Sequence, residues 1–136
     1  MAGYSGTPLL KKLGIKPGFQ IVLWNEPTAY WNWISPLPDG VKVRKTGAAQ
    51  SLDFIHLFVK ERKTYEKEVL RYRKLLKPDG MIWISWPKKS SGVLSDLDEN
   101  LIRNFALKKG LVDVKVCAVD EVWSGLKLVI PVKLRK

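Results

Sequence analysis

A nearly unbroken apolar run, residues 52–59 (LDFIHLFV), constrains the fold of this 136-residue chain more than any other feature. Phe, Ile, Leu and Val fill the run without the strict alternation that a strand with one solvent-facing side shows. Such a run is typical of a strand covered on both faces, as in a parallel sheet flanked by helices. We therefore expect residues 52–59 to lie inside an α/β sheet.

The segments around this run alternate between helix and strand. Over residues 61–77, Tyr65, Val69, Tyr72 and Leu76 recur at helical spacing and form one apolar stripe. The other predicted elements are helices at 7–14 (N-cap Thr7), 29–34 and 95–109 (N-cap Ser95), a turn at 77–80, and strands at 19–24, 41–45, 81–86, 112–119 and 126–132. Strands that alternate with helices predict a mostly parallel sheet. At this length we expect a single domain, residues 1–136.

The order of the strands predicts where a ligand would bind. The last two strands have too little chain between them for a parallel crossover, so we expect an antiparallel hairpin. Right-handed crossovers place the exits after Trp24, Val59 and Trp86 at one edge, where open α/β sheets bind ligands. If the strand at 112–119 is also parallel, the connection 120–125 reaches the same edge. The candidate ligand-binding residues are Asn25, Glu26, Lys60, Glu61, Lys88, Lys89, Ser90, Ser91, Glu121, Trp123 and Ser124.

Three stretches of this sequence resemble a known class of domain. LLKKLGIKPGFQIVLW is similar to the opening helix, turn and first strand of class I methyltransferase-like Rossmann domains. LRYRKLLKPDGMIWISWP resembles the helix, turn and strand that follow their fourth strand, and KKGLVDVKVCAVDEVWSGLKLVI resembles their closing strand pair. From AGYSGTPL onward, the chain also resembles a small uncharacterised bacterial domain family. The resemblance implies a Rossmann-like α/β fold that ends in an antiparallel hairpin. The chain departs from the family in lacking its third strand and the helix of that strand, so we expect a reduced form of the fold.

The chain departs from this family where the family binds S-adenosylmethionine. The methyltransferases carry an acidic residue and a glycine-rich turn after the first strand, where the backbone approaches the cofactor closely. Residues 24–31 (WNEPTAYW) contain no glycine, and the second strand offers Lys42, Arg44 and Lys45 where the family has a ribose-binding carboxylate. We therefore expect no cofactor, with S-adenosylmethionine disfavoured by the missing turn after Trp24, and we carry over no catalytic residue.

The loop Pro87 to Gly92 (PKKSSG) permits two interpretations. Its two ammonium groups, two hydroxyls and backbone donors could hold a phosphate or carboxylate. The same residues are equally ordinary in an exposed turn, and the spacing of a nucleoside triphosphate-binding loop is absent. Glu26 and Glu61 should also reach this edge, where they could form an acid–base pair. The favoured interpretation is structural, with both carboxylates hydrogen-bonded to the adjacent loops or paired with Lys60 and Lys88.

The net charge of +11 favours an anionic partner. Lys60, Lys63, Lys67, Arg71 and Lys74 share one face of the helix at 61–77, and such a stripe could follow a phosphate backbone. More commonly, a face of this kind only meets solvent. No metal site is expected, because one histidine and one cysteine fall short of the usual ligand set. We expect His56 to be a hydrogen-bonded core residue.

These observations lead to one main functional hypothesis and two alternatives. We expect a non-methylating domain that binds an anionic small molecule or an acidic surface at the carboxyl edge. The alternatives are a divergent transferase using S-adenosylmethionine or another nucleotide, and a basic domain associated with nucleic acid. A single cysteine, the lack of a signal-peptide pattern and the lack of an apolar run of ~20 residues predict a cytoplasmic protein without a membrane span.

Overall fold

The computed structural model describes residues 8–135, so the predicted N-cap Thr7 lies outside the described residues. Within this range the chain forms a six-stranded sheet with the order β2-β1-β3-β4-β6-β5. The strands are β1 (Gln20–Trp24), β2 (Lys42–Arg44), β3 (Leu52–Phe58), β4 (Leu76–Pro87), β5 (Val112–Ala118) and β6 (Trp123–Val129). The helices are α1 (Leu9–Leu13), α2 (Tyr30–Trp33), α3 (Arg62–Arg73) and α4 (Glu99–Lys108), with 3-10 turns at Lys89–Ser91 and Val132–Leu134.

The pairing of the strands confirms the predicted mixed sheet. β1 pairs in parallel with β2 and β3, and β3 pairs in parallel with β4. β6 is antiparallel to both β4 and β5, so β5 runs in the direction of β4. The turn between β5 and β6 therefore lies at the carboxyl edge, together with the exits of β1, β3 and β4. This is the reduced Rossmann-like architecture, with β2 forming one border of the sheet.

The sheet has a hydrophobic layer on each face. Ile55 and Leu57 of β3 pack on the side of α3 and α4, whereas Phe54 and Phe58 pack on the side of α1 and α2. All four of these side chains are fully buried. The continuous apolar run in β3 thus reflects burial on both faces, where each such side chain contributes ~1.5–3 kcal/mol relative to exposure.

The predicted turn at 77–80 instead lies inside β4. Leu76 pairs with Leu52 of β3, and the register then shifts before Phe54 meets Met81. A pairing partner outside the segment, together with a bulge, thus overrides the local turn signal. α3 correspondingly ends at Arg73, four residues before its predicted end.

The N-cap of α4 is Asp98 and not the predicted Ser95. The Asp98 Oδ1 atom accepts a hydrogen bond from the Leu101 N–H at 2.8 Å. Carboxylates are favoured at this position because they pair with a free N–H and with the positive end of the helix dipole.

Two lysines face each other across the outer strand pair. Lys115 of β5 is the direct partner of Lys127 of β6. Burial lowers the pKa of Lys127, and the charges of Lys115 and Lys16 lower it further. The Lys115 Nζ atom lies 5.8 Å from the centre of the Trp83 ring. Like charges in this arrangement destabilise a sheet.

Candidate functional site

The carboxyl edge opens into a cavity between β1 and β3. The chain leaves β1 toward β2 on one side and leaves β3 toward β4 on the other, and open α/β sheets bind ligands where strands diverge in this way. This first cavity has a volume of about 170 Å³ and is lined by Trp24, Asn25, Phe58, Val59, Lys60, Glu61 and Thr64. A second cavity of about 440 Å³ is lined by Lys60, Glu61, Leu94, Ser95 and Asp96. The two cavities share Lys60 and Glu61, and the larger has the volume of a small-molecule site.

Asn25 makes the turn that ends β1. Its φ angle is 56°, in the left-handed region that glycine, asparagine and aspartate adopt most readily. The Asn25 side-chain amide donates to the Phe58 carbonyl at 3.4 Å and so links the end of β1 to the end of β3. β1 thus ends in a left-handed turn without a glycine.

The segment before α4 is tied to the start of α3. The Ser95 hydroxyl donates to the Lys60 carbonyl at 2.7 Å, and the Asp96 carboxylate accepts from the Arg62 N–H at 2.7 Å. Asp96 thereby satisfies one of the free donors in the first turn of α3. Leu94 is 93% exposed beside these contacts, so an apolar side chain stands at the mouth of the larger cavity.

Three of the predicted site residues, Asn25, Lys60 and Glu61, meet at these cavities. Glu26 lies in the β1–α2 connection and does not line either cavity. Burial raises the pKa of Tyr30 well above its ordinary value, and the charge of Glu26 raises it further. Glu61 therefore lines the cavities and Glu26 does not, so the predicted carboxylate pair does not meet there. A ligand-binding role for Asn25, Glu26, Lys60 and Glu61 stays a prediction.

The loop from Lys88 to Ser91 is held by its own hydrogen bonds. The Ser91 hydroxyl donates to the Lys88 carbonyl at 2.6 Å and accepts from the Val93 N–H at 3.1 Å. The Lys88 N–H donates to the Val122 carbonyl at 2.7 Å. Groups that an anion site would use are therefore engaged within the protein, while Lys89 and Ser90 are exposed. Anion binding at Lys88, Lys89, Ser90 and Ser91 stays a prediction.

Trp123 and Ser124 belong to β6 and not to the connecting loop. They pair with Pro87 and Trp86 of β4. The Trp123 ring packs edge-on against Phe58, with ring centres 5.1 Å apart, and is mostly buried. The prediction that the last strand begins at residue 126 is wrong, because the pairing with β4 continues to the carboxyl edge.

A buried polar cluster lies on the α2 side of the sheet. The Tyr30 hydroxyl is 2.8 Å from His56 Nδ1, and His56 Nε2 is 2.7 Å from the Ser85 hydroxyl. All three residues are fully buried, and burial lowers the pKa of His56 to about 3. A neutral imidazole has one donor and one acceptor, so both ring nitrogens are satisfied. This agrees with the prediction of a hydrogen-bonded core histidine, although its partners were not foreseen.

Thr64, Leu94, Ser95 and Asp96 are cavity residues that the sequence reasoning missed. Thr64 could have been found, since the first turn of a helix that follows a parallel strand lies at the carboxyl edge. The other three are brought there by the long-range contacts with Lys60 and Arg62.

The part of the chain that the structure describes has neither a metal-ligating cluster nor a helix that could span a membrane. Residues 8–135 contain no group of three or more His, Cys, Asp or Glu side chains that could hold a metal ion. None of the helices within the same residues has the length and apolar character needed to cross a bilayer.

The fold is shared with solved methyltransferases. A SAM-dependent methyltransferase from Aquifex aeolicus matches with a TM-score of 0.65 and 14% identity, over 90% of this chain and 87% of that chain. The 1,6-didemethyltoxoflavin-N1-methyltransferase of Burkholderia thailandensis, solved with bound 1,6-didemethyltoxoflavin and S-adenosylhomocysteine, matches with a TM-score of 0.59 and 11% identity, over 89% of this chain and 76% of that chain. No protein-family model matches the chain, and no curated protein matches it in sequence. At these identities the likeness establishes a methyltransferase-like Rossmann fold, and the resemblance to a small bacterial family stays a prediction.

The prediction that the chain takes no cofactor, with S-adenosylmethionine disfavoured, is wrong. The solved structures that share this fold over about nine-tenths of the chain include a SAM-dependent methyltransferase and an enzyme with S-adenosylhomocysteine bound. That expectation rested on the absence of a glycine after β1. Asn25 adopts the left-handed conformation there, which asparagine does more readily than most residues.

Proposed function

We propose that this chain is an S-adenosylmethionine-dependent transferase domain that holds its cofactor across the two cavities that share Lys60 and Glu61. The observation that carries the proposal is the left-handed turn at Asn25, which lines the smaller cavity at the point where the strands diverge. The shared fold with SAM-dependent methyltransferases supports it. This is the transferase alternative of the sequence analysis, now favoured over a non-methylating domain.

The residues around the cavities suit the chemical groups of S-adenosylmethionine. Its ribose hydroxyls and ammonium group are hydrogen-bond donors, and the carboxylates of Glu61 and Asp96 line the larger cavity as acceptors. Lys60 offers a positive charge for the carboxylate of the cofactor, and Trp24 offers an apolar ring surface. We assign the ribose to the Glu61 side, because β2 carries the exposed basic residues Lys42 and Arg44 and no carboxylate.

The bound cofactor would supply an activated methyl group, and residues of the chain would hold that group in place beside the acceptor. Glu61 and Lys60 border both cavities, so they can orient groups in each of them. We place the methyl acceptor at the mouth of the larger cavity, where the exposed Leu94 side chain can cover an apolar surface.

The non-methylating, anion-binding hypothesis has less support. The Lys88 N–H and the Ser91 hydroxyl, which an anion at that loop would need, already have partners within the protein. A cytoplasmic location is part of the proposal, on the sequence argument alone.

Titration of the ¹⁵N-labelled protein with S-adenosylhomocysteine tests the cofactor site. We expect chemical-shift changes at Asn25, Lys60, Glu61 and Asp96, and a higher melting temperature, since a ligand at 100 times its Kd stabilises by about 2.7 kcal/mol. Glu61→Gln should weaken binding because it removes the charged acceptor. The matched control is Asp39→Asn, which removes an exposed carboxylate from the turn before β2, outside both cavities, and should leave binding unchanged. Unperturbed spectra at millimolar ligand, or equal losses in both variants, would rule out the proposed site.

A further inference from the structure

We propose that the exposed face of α3 is a docking surface for the phosphodiester backbone of double-stranded nucleic acid. All the exposed residues within α3 are basic, namely Arg62, Lys63, Lys67 and Arg71, and the exposed Lys74 follows directly. This surface goes beyond the proposed transferase function and does not depend on it.

The acidic residues of α3 offset only part of this charge, at Arg62 and Arg71. Glu68 is only 5% exposed, and its carboxylate accepts from Arg71 at 3.3 Å. The Glu66 carboxylate is paired with Arg62 at 2.9 Å. The usual solvent face of a helix interleaves both signs of charge, whereas here the glutamates are buried or paired. None of the ion pairs among residues 8–135 includes Lys63, Lys67 or Lys74.

The basic side chains form a straight stripe. At 100° per residue, Lys63, Lys67, Arg71 and Lys74 fall within about 80° of the helix circumference, and at 1.5 Å per residue they span roughly 16 Å. Duplex DNA carries one phosphate charge per ~1.7 Å of its axis, so a duplex lying along the stripe offers every one of these side chains a partner.

The same face lacks the groups that single-stranded nucleic acid requires. Proteins that hold single strands stack bases on exposed aromatic rings. Tyr65 and Tyr72 of α3 are both buried, and the Tyr65 hydroxyl donates to the Ile102 carbonyl of α4. A basic surface without exposed rings fits the charged exterior of a duplex, which it would contact without reading the base sequence.

The neighbouring helix extends the surface at one end. The Arg73 guanidinium donates to the Gly110 carbonyl at 3.0 Å, which places the end of α4 beside the end of α3. Lys108 and Lys109 precede Gly110 and are exposed. The positive charge therefore broadens at the end of α3 that is farther from the cavities.

Fluorescence anisotropy without S-adenosylmethionine tests this surface separately from the transferase site. The probes are a 20-base-pair DNA duplex, the matching RNA duplex and a single strand of each. With four phosphate contacts, the logarithm of the affinity should fall with the logarithm of salt concentration with a slope of about −4 for duplex DNA. The tighter of the two duplexes identifies the kind of nucleic acid.

The decisive comparison uses two double variants with the same net charge. Lys63→Glu/Lys67→Glu should weaken duplex binding at least tenfold at 50 mM salt and roughly halve the slope, because two phosphate contacts are lost. Lys42→Glu/Lys45→Glu changes exposed lysines at the far border of the sheet. The affinity of this variant for the duplex should stay within about threefold of that of the unmodified protein. Circular dichroism establishes that both variants fold. Equal losses in both variants, a preference for single strands, or no duplex binding at 50 mM salt would overturn the proposal.

Discussion

The Asn25 side chain donates a hydrogen bond to the carbonyl of Phe58, 33 residues away, and this contact joins the ends of β1 and β3 beside the candidate site. The backbone of Asn25 is left-handed at the same point. One residue thus provides both the turn and the link across the sheet, and both roles can be separated by substitution.

Replacing Asn25 should distinguish the turn from the hydrogen bond. Asn25→Gly keeps the left-handed turn and loses a hydrogen bond of ~1 kcal/mol, which the relief of backbone strain offsets, so the free energy of unfolding should change little. Asn25→Val forces a β-branched residue into the same conformation and should cost a further ~1–3 kcal/mol. Urea denaturation of the two variants measures the difference. Equal stability of the glycine and valine variants would mean that the turn is not left-handed in solution.

His56 should make the stability of the protein depend on pH in the acidic range. Its pKa is about 3 in the folded protein, because burial opposes the charged form, against 6.5 when unfolded. Between these values the unfolded state binds more protons, so the free energy of unfolding should fall as the pH drops from 6.5 toward 3, by up to about 1.4 kcal/mol per pH unit.

The variant His56→Gln isolates this contribution. It should be less stable at neutral pH, since it disturbs the contacts with Tyr30 and Ser85, yet its stability should fall less steeply below pH 6.5. Denaturant titrations at pH 4, 5, 6 and 7 provide the comparison. Parallel pH profiles for the two proteins would show that His56 is not buried in its neutral form.

Removing one charge from the facing lysine pair should stabilise the sheet. Lys127→Met keeps a long apolar side chain and removes the charge opposite Lys115, which should raise the free energy of unfolding by ~0.2–1 kcal/mol at low salt. Because the folded pKa of Lys127 is lowered, the unmodified protein should gain stability relative to the variant as the pH approaches 10.5. Thermal unfolding of both proteins at pH 7 and pH 10 tests this. Lys133→Met, at an exposed position, is the control and should have no such effect.

The cap of α4 gives a local test of the fold. Asp98→Ala removes the acceptor of the Leu101 N–H and should cost about 1 kcal/mol, whereas Asp98→Asn should keep most of the stability. Amide hydrogen exchange in the first turn of α4 should accelerate only in the alanine variant. Unchanged exchange in that variant would place the cap at another residue.

Much of the fold could be predicted because its strongest signals are local. The apolar run of β3 and the stripe of α3 result from burial of their own side chains, and both were read correctly from the sequence. The errors concern pairing with distant segments. Leu76 belongs to β4 because it pairs with Leu52, and Trp123 belongs to β6 because it pairs with Pro87. No local sequence pattern encodes these pairings.

The candidate site was predicted less completely for a similar reason. Lys60 and Glu61 follow directly from the exit of β3, so topology alone placed them. Asp96 reaches the site only through its contact with the Arg62 N–H, 34 residues away. The expectation of no cofactor rested on the missing glycine after β1, whereas Asn25 supplies a left-handed backbone at that point.

The position of β6 between β4 and β5 has a consequence for synthesis of the chain on the ribosome. β5 is made before β6, yet β6 is its sheet neighbour, so β5 has no partner strand until β6 emerges. Until then the growing polypeptide also presents the open border of β4, the kind of edge that invites association with other chains. When β6 forms, it pairs with the exposed edge of β4 and with β5, so both strands gain their missing neighbour at the same time.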